Sequence, residues 1–193
     1  MKLLILPGSI RKESYNLKLA ALAAEHARQA GVEVDLVAPD DLRPIPLYNG
    51  DLEEAEGLPT AVKTLKQRFI AAQAIVLACP EYNSSITPLL KNTLDWVSRA
   101  ETDDEPSLAA YQGKVAGLLS ASPGGFGGMR GLVTVRSMLG NIGVIVVPTQ
   151  LAIPKAYEAF DDQGALKEAR QQKSLAGVVD EVIRVAKALA IKS

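Results

Sequence analysis

Cysteine and histidine are nearly absent from this sequence of 193 residues, which contains one of each. A single cysteine excludes an internal disulfide, a Cys-x-x-Cys redox pair and a cysteine-rich zinc site. A lone histidine disfavours a serine–histidine hydrolase and a histidine-built metal centre, so we expect no metal site. His26 is expected as a partly exposed residue on the first helix, and Cys79 as a small buried hydrophobe at a strand end.

An excess of one charge and long apolar runs are also missing. The 21 basic and 22 acidic residues give a net charge of −1, and no basic block stands out. This pattern argues against nucleic acid as the main partner. No apolar run reaches the length of a membrane span, and the N-terminus begins directly with a strand pattern rather than a signal peptide. We therefore expect a cytoplasmic protein with one domain over residues 1–193.

What the sequence does contain is an alternation of continuously apolar runs with helical patterns, which predicts a doubly wound α/β fold. Continuous apolar runs are typical of parallel strands that helices cover on both faces. The predicted strands are Lys2–Leu6, Val32–Val37, Ala74–Cys79, Lys114–Ser120 and Gly143–Val147. The predicted helices are Tyr15–Ala30, Thr60–Ala72, Pro88–Arg99, Met129–Leu139 and Leu166–Ala190, the last with a buried face formed by Leu175, Val178, Val179, Val182, Ala186 and Leu189.

Two connections are unusually long. They are Pro39–Pro59 and Pro148–Gly164, and both lack a clear helix or strand pattern. Loops of this length are often functional lids or interface segments, and the alternative is a solvated insertion.

The stretch Gly8–Asn16 lies between the first strand and the first helix, where it forms a potential anion site. Free N–H groups and the dipole at a helix start attract negative charge. Ser9, Ser14 and Asn16 add neutral donors, and Arg11 adds a cation suited to phosphate. Neither a GxxxxGK[ST] nor a GxGxxG motif is present, so side chains would hold the phosphate. In the alternative, Ser14 or Asn16 only caps the helix and Arg11 lies in water.

Two more loops follow the third and fourth strands, residues 80–85 and residues 120–128. In a five-stranded sheet of order 2-1-3-4-5, the carboxyl ends of strands one, three and four are neighbours, so the three loops converge. The second loop offers an aromatic ring and an amide, and the glycine-rich third loop allows close approach of a flat ligand. A phosphate at one end and a planar heterocycle at the other describe a mononucleotide.

The motifs in these loops resemble those of the NADPH-dependent FMN reductase family, which includes bacterial quinone, chromate and azo reductases. The matching residues run from the first strand to the fifth: Gly8-Ser9-x-Arg11-x-x-Ser14-x-Asn16, then Pro80-Glu81-Tyr82-Asn83, Pro88, Leu90-Lys91-Asn92, Asp95-Trp96, and Gly127-Gly128-x-Arg130. The resemblance implies a flavodoxin-like fold, a non-covalently bound FMN, and a homodimer or homotetramer.

The same resemblance implies roles for individual residues. Ser9, Arg11, Ser14 and Asn16 would hold the FMN phosphate. Pro80, Glu81, Tyr82 and Asn83 would line the isoalloxazine, largely through backbone groups. Ser120, Ser122 and Gly124 would contact the ribityl chain or the other edge of the ring.

Several of these side chains have a second interpretation. Tyr82 stacks beside the flavin or packs against a neighbouring subunit, and Asn83 bonds the ring or is a turn residue. Glu81 contacts a partner subunit or the nicotinamide, or is an exposed carboxylate. Trp96 belongs to the core or an interface, and Arg130 attracts an NADPH phosphate or pairs with an acid.

Two functions are compatible with this pattern. In the first, the protein is an oxidoreductase that passes a hydride from NADPH or NADH through FMN to a small acceptor such as a quinone, with free flavin, azo dye or chromate as alternatives. The chemistry then belongs to the cofactor, and no catalytic side chain is expected. In the second, it is a flavodoxin-type electron carrier, although such carriers tend to be strongly acidic and this chain is not.

Overall fold

The computed structural model describes residues 1–190, so the last three residues of the expected 1–193 domain lie outside the described residues. The strands are β1 (Lys2–Pro7), β2 (Glu33–Leu36), β3 (Ala74–Ala78), β4 (Glu81–Tyr82), β5 (Ser85–Ile86), β6 (Val115–Ala121) and β7 (Ile145–Ile153). The helices are α1 (Tyr15–Gln29), α2 (Pro39–Leu42), α3 (Gly50–Glu56), α4 (Thr60–Ala71), α5 (Pro88–Val97), α6 (Met129–Asn141), α7 (Ala156–Ala159) and α8 (Ala169–Ala190).

Five strands form one parallel sheet in the order β2-β1-β3-β6-β7, and β4 and β5 form a separate antiparallel hairpin. The predicted order 2-1-3-4-5 is therefore confirmed. The three central strands β1, β3 and β6 are almost entirely buried, as their continuous apolar sequences predict. Within residues 1–190, no helix combines the length and apolar character needed to cross a membrane.

Helices cover both faces of the sheet. α1 and α8 pack on one face, and α4, α5 and α6 pack on the other. α8 lies so close to β6 that a Cβ on Gly117 would come within 2.7 Å of Val182, so only glycine fits there. The predicted buried face of α8 is confirmed except at Leu189, which lies in the last turn and is 38% exposed.

The fifth strand extends further than predicted. The predicted strand ended at Val147 and the connection began at Pro148, but β7 continues through Pro148 to Ile153. The strand tolerates this proline because it lies at the sheet edge, where the pairing register shifts between Ala116 and Leu118 of β6. Arg136 from α6 donates to the carbonyl of Val147 (2.9 Å), which satisfies a group that the irregularity frees.

The long segment between residues 39 and 59 is held against α5. It contains the two short helices α2 and α3, and the indole Nε1 of buried Trp96 donates to the carbonyl of Pro46 (2.9 Å). Trp96 therefore belongs to the core. In α3, the carboxylate of Glu53 accepts from the Tyr48 hydroxyl (2.8 Å) and from Arg99 Nε (2.8 Å). This segment is thus a strap that side-chain hydrogen bonds fix to the body of the protein, although its helix α3 has no buried residue.

The strap is expected to weaken in acid. Burial acts to raise the pKa of Glu53, but the hydrogen bonds from Arg99 and Tyr48 outweigh it and hold that pKa below its ordinary value of 4.5. A carboxyl group whose pKa is lower in the folded state adds stability at neutral pH, and this stability is lost as the pH falls through the folded pKa. We predict that Glu53→Gln lowers the free energy of unfolding at pH 7 and that its difference from wild type narrows below pH 4.5.

Urea unfolding at a series of pH values measures the difference in free energy of unfolding between wild type and Glu53→Gln. The control is Glu54→Gln, because Glu54 is exposed and forms no ion pair with any other described residue. A wild-type advantage that stays constant down to pH 3 would contradict the assigned role of Glu53.

Candidate functional site

Three segments meet at the carboxyl ends of the central strands. The polar loop (residues 8–14) follows β1, the β4–β5 hairpin follows β3, and the glycine-rich loop (residues 122–128) follows β6. The sheet order places these ends side by side, as expected for the ligand site of an open parallel sheet.

Buried hydrogen bonds hold the polar loop in place at both ends. The side-chain amide of Asn16 donates to the carbonyl of Ala121 (2.9 Å) and accepts from its N–H (3.0 Å). The hydroxyl of Thr87 donates to the carbonyl of Gly8 (3.2 Å) while it caps α5. A Cβ on Gly8 would lie 2.8 Å from Pro80, so glycine permits the contact between the polar loop and the hairpin. Both the nitrogen and the oxygen of the Asn16 amide are thus engaged with the backbone of Ala121.

The polar loop itself keeps many donors free. In the described part of the chain, the N–H groups of residues 9, 10, 12, 13 and 15 donate no hydrogen bond. The Ser14 hydroxyl caps α1 by accepting from Asn16 N (3.3 Å), and Ser9 accepts from Arg11 N (3.2 Å), so both hydroxyl protons remain available. The Arg11 guanidinium is exposed and pairs with no carboxylate among residues 1–190. Such a set of donors without acceptors suits an anion.

The β4–β5 hairpin closes with a strained turn of two residues. Asn83 and Ser84 have φ values of 51° and 66°, as a turn with two left-handed central residues requires. Asn83 therefore has the turn role considered from the sequence, and Tyr82 beside it is 60% exposed. Ser84 accepts a hydrogen bond from Arg130 Nη1 (3.1 Å), so Arg130 contacts a hydroxyl rather than an acid.

Glu81 attaches the hairpin to α6. Its Oε2 accepts from the N–H of Gly131 (2.7 Å) in the first turn of that helix, where the helix dipole favours a carboxylate. The partly buried Glu81 is thus a helix cap contributed by a different segment, rather than a free surface carboxylate. A side chain on Gly131 would approach both Glu81 and Ser85, so glycine keeps this contact close.

A buried residue of β6 fixes the start of the glycine-rich loop. Ser120 is completely buried and donates to the carbonyl of Cys79 (2.6 Å), so its hydroxyl faces the protein interior. A Cβ on Gly128, which has a φ of 89°, would collide with the Ser120 hydroxyl. The loop is also joined to the segment after β7, because Lys155 N donates to the carbonyl of Gly124 (3.3 Å).

A cavity of about 80 Å³ opens between the three segments. It is lined by Ser9, Arg11, Ser14, Tyr15, Asn16, Pro80, Glu81, Tyr82, Ala121, Ser122 and Pro123. Eight of the eleven predicted site residues are in this group, and Asn83, Ser120 and Gly124 are not. Of the lining residues that sequence reasoning missed, Tyr15 had a detectable signal, an aromatic ring four positions after Arg11 at the helix start.

The donors fit a nucleotide phosphate, but the cavity encloses only part of such a ligand. Its volume is well below the roughly 300–1,000 Å³ of typical small-molecule sites. The free N–H groups, hydroxyls and guanidinium suit the phosphate end, while a planar ring would extend along the open surface beside Tyr82.

The only cysteine and the only histidine of the sequence lie outside this cavity. Cys79 is buried, and burial raises the pKa of its thiol far above the ordinary value, so it is a packing residue. His26 is half-buried on α1, with its Nε2 2.8 Å from Asp180 Oδ1 of α8.

Comparison with known proteins gives a consistent result. The family described as NADPH-dependent FMN reductase matches residues 1–158. An NAD(P)H-dependent FMN reductase of Pseudomonas aeruginosa is 36% identical over 174 residues, covering 90% of this chain and 88% of that protein. A probable NADPH:quinone oxidoreductase of Oryza sativa is 36% identical over 183 residues, covering 89% of this chain and 85% of that protein.

Two solved structures have folds similar to that of this chain. A flavoenzyme NAD(P)H:(acceptor) oxidoreductase of Paracoccus denitrificans superimposes with a TM-score of 0.81 at 27% identity, covering 97% of each chain. An archaeal flavodoxin superimposes with a TM-score of 0.61 at 10% identity, covering 97% of this chain and 99% of that one, which indicates a shared fold alone.

The contact between Glu81 and α6 predicts a measurable stability effect. Glu81→Ala leaves the partly buried N–H of Gly131 without its acceptor, so we expect the free energy of unfolding to fall by about 1–2 kcal/mol. Glu81→Gln keeps an acceptor oxygen and is expected to lose less. Urea unfolding measures both variants, and equal stability of Glu81→Ala and wild type would show that the contact is energetically neutral.

Proposed function

Since the chain belongs to the NADPH-dependent FMN reductase family, we propose that residues 1–193 form one domain that binds FMN non-covalently and oxidises NADPH or NADH. The electrons pass to a small acceptor. A quinone is the proposed acceptor class, with free flavin, azo compounds and chromate as further candidates. Because the reaction consumes NADPH or NADH, we also propose a cytoplasmic location.

The observation that carries the proposal is the set of unpaired donors in the polar loop. No residue among 1–190 accepts a hydrogen bond from five of its N–H groups, from the two serine hydroxyls or from the Arg11 guanidinium. In this proposal, they hold the FMN phosphate through charge-assisted hydrogen bonds. Ser9, Ser14 and Arg11 contribute side chains, and Asn16 contributes indirectly, because its amide fixes the loop to Ala121.

The hairpin and the glycine-rich loop have a different role. The backbone of Pro80, Glu81, Tyr82 and Asn83 would border the ring, and Ser122 and Gly124 would border the opposite edge. Glu81 and Arg130 hold the hairpin to α6, so this border is rigid before a ligand arrives, which lowers the ordering cost of binding. Ser120 has a structural role, because its hydroxyl holds the carbonyl of Cys79 just before the hairpin.

When bound, FMN supplies the redox chemistry, in which a hydride from NADPH or NADH and a proton from solvent convert a quinone to a hydroquinone. The contribution of the chain is to position the reactants and to exclude water from the phosphate end. We assign no general acid or base, since the cavity holds no nucleophile–base pair and Glu81 is engaged as a helix cap.

The rival function is that of an electron carrier without its own turnover of NADPH. The fold is compatible with either function, because it is shared with an archaeal flavodoxin. The net charge of −1 favours the enzyme, since carriers that dock to basic partners are typically strongly acidic.

We further propose that the protein is a homo-oligomer, a homodimer or homotetramer, in which a second copy covers the open side of the site. Phe126 lies just before α6, and Met129 and Val133 lie four positions apart within it; all three side chains are exposed. Tyr82 is also exposed, on the hairpin that Glu81 joins to the first turn of α6. Exposed apolar clusters of this kind favour protein contacts. The small enclosed volume supports the same proposal, because a flat ring would otherwise remain uncovered.

The first prediction concerns the cofactor. Protein incubated with FMN and desalted should retain visible absorption bands, which NADPH should bleach in the absence of oxygen, and a quinone should restore them. Arg11→Ala is expected to raise the Kd for FMN by about 10- to 150-fold, because a charge-assisted contact contributes about 1.5–3 kcal/mol.

The matched control is Arg28→Ala, which removes another exposed arginine, near the far end of α1. Unchanged FMN affinity in Arg11→Ala would overturn the phosphate assignment. Flavin-loaded protein that does not oxidise NADPH would favour the carrier.

The second prediction concerns assembly. Light scattering after gel filtration should give the mass of a dimer or tetramer for wild type. Val133→Glu places a charge in the exposed apolar cluster and should shift the mass towards the monomer, whereas Gln29→Glu on α1 should not. A wild-type protein that is monomeric at high micromolar concentration would refute the proposed assembly.

A further inference from the structure

A row of aromatic and cationic side chains leads away from the polar loop. The Arg11 guanidinium carbon lies 5.9 Å from the centre of the Tyr15 ring. The Tyr15 ring stacks on Phe160, with centroids 5.8 Å apart and planes 11° from parallel. The Lys18 ammonium lies 5.7 Å from the centre of the Phe160 ring. The two cations thus lie at the ends of a stacked pair of rings.

Tyr15 occupies a fixed position at the border of the cavity. It is the first residue of α1, directly after the Ser14 cap, and it lines the same cavity as Arg11. Its stacking partner Phe160 is only 7% exposed and comes from the segment after β7, where it pairs with Leu166 in an isolated bridge. The ring therefore offers Arg11 a rigid surface rather than a mobile one.

The Arg11 guanidinium depends on this surface, since it forms no hydrogen bond or ion pair with any residue among 1–190. An arginine side chain loses about 2 kcal/mol of rotamer entropy when it is immobilised. An aromatic face within about 6 Å attracts the guanidinium and restricts it before a ligand binds. Part of the ordering cost is then met in the free protein, which raises affinity for the anion.

We infer that Tyr15 is a positioning residue that holds Arg11 towards the ligand phosphate through its ring face, with Phe160 as the support behind it. This inference rests on the proposed FMN site. It assigns a role to the segment after β7, which reaches the phosphate end of the site through Phe160 and not through a direct ligand contact. It also requires only the ring of Tyr15 and not the hydroxyl.

The test compares FMN with riboflavin, which has the same ring but no phosphate. The measured quantity is the Kd for riboflavin divided by the Kd for FMN, obtained by titrating flavin-free protein and following flavin fluorescence. Wild type should have a ratio well above one. Tyr15→Leu should lower the ratio by about two- to fivefold, as expected for loss of one exposed cation–π contact, with riboflavin affinity unchanged.

Two control variants keep the ratio at the wild-type value. Tyr15→Phe retains the ring and removes the hydroxyl. Lys18→Met removes the cation at the far end of the row without touching Arg11. In the double variant Arg11→Ala with Tyr15→Leu, the ratio should equal that of Arg11→Ala alone, because Tyr15 acts only through Arg11.

The outcomes distinguish the phosphate site from the role of Tyr15. A wild-type ratio near one would refute the phosphate site itself and thus the proposed function. If wild type has a high ratio and Tyr15→Leu keeps it, the role of Tyr15 is overturned while the phosphate site stands. The same conclusion follows if the double variant lowers the ratio by the product of the two single effects. If Tyr15→Leu also loses riboflavin binding, Tyr15→Met replaces it, since methionine fills irregular apolar space and the same ratio applies.

Discussion

The side-chain amide of Asn16 forms two buried hydrogen bonds with the backbone of Ala121, and the geometry of the candidate site depends on this pair of contacts. Asn16 lies in the first turn of α1, whereas Ala121 is the last residue of β6, and β3 lies between β1 and β6 in the sheet. One amide therefore connects the polar loop to the start of the glycine-rich loop across the end of the intervening strand. A buried amide that loses such a partner leaves donors and acceptors unsatisfied, so the two loops cannot separate without a free-energy cost.

The remaining polar contacts follow the same principle. Thr87 fixes Gly8, Glu81 caps α6, and Ser120 holds the carbonyl of Cys79. In each case a side chain satisfies a backbone group that is left free where a helix starts or a strand ends. The interior contacts use up these side chains, while the N–H groups of the polar loop stay free at the surface. The groups that fix the loops are thus separate from the free donors that we assign to the proposed anion, so the loops can be rigid before a ligand binds.

Sequence patterns were sufficient for the sheet and its main helices. Continuous apolar runs predicted five parallel strands, and the predicted helix starts at Tyr15 and Pro88 are those of α1 and α5. The end of the fifth strand was predicted too early, at Val147, because whether a strand can continue through a proline such as Pro148 depends on whether it lies at the edge or the centre of a sheet. The roles of Glu81 and Tyr15 also escaped sequence reasoning. Their partners, Gly131 and Phe160, lie 50 and 145 positions away along the chain, beyond the range of any local pattern.

The sequence by itself therefore determined the alternation of strands and helices and which polar residues the loops contain. Apolar runs must be buried and helix starts need caps, whatever the rest of the chain does. The tertiary structure alone decided which side chains remain available to a ligand. Ser120 and Asn16 read as candidate ligand donors in the sequence, but packing directs both towards the protein backbone, whereas Arg11 is left without an acid and rests on Tyr15. The reason is that a polar side chain bonds to whatever the fold places within about 3 Å of it, and that proximity is set by the packing of distant segments.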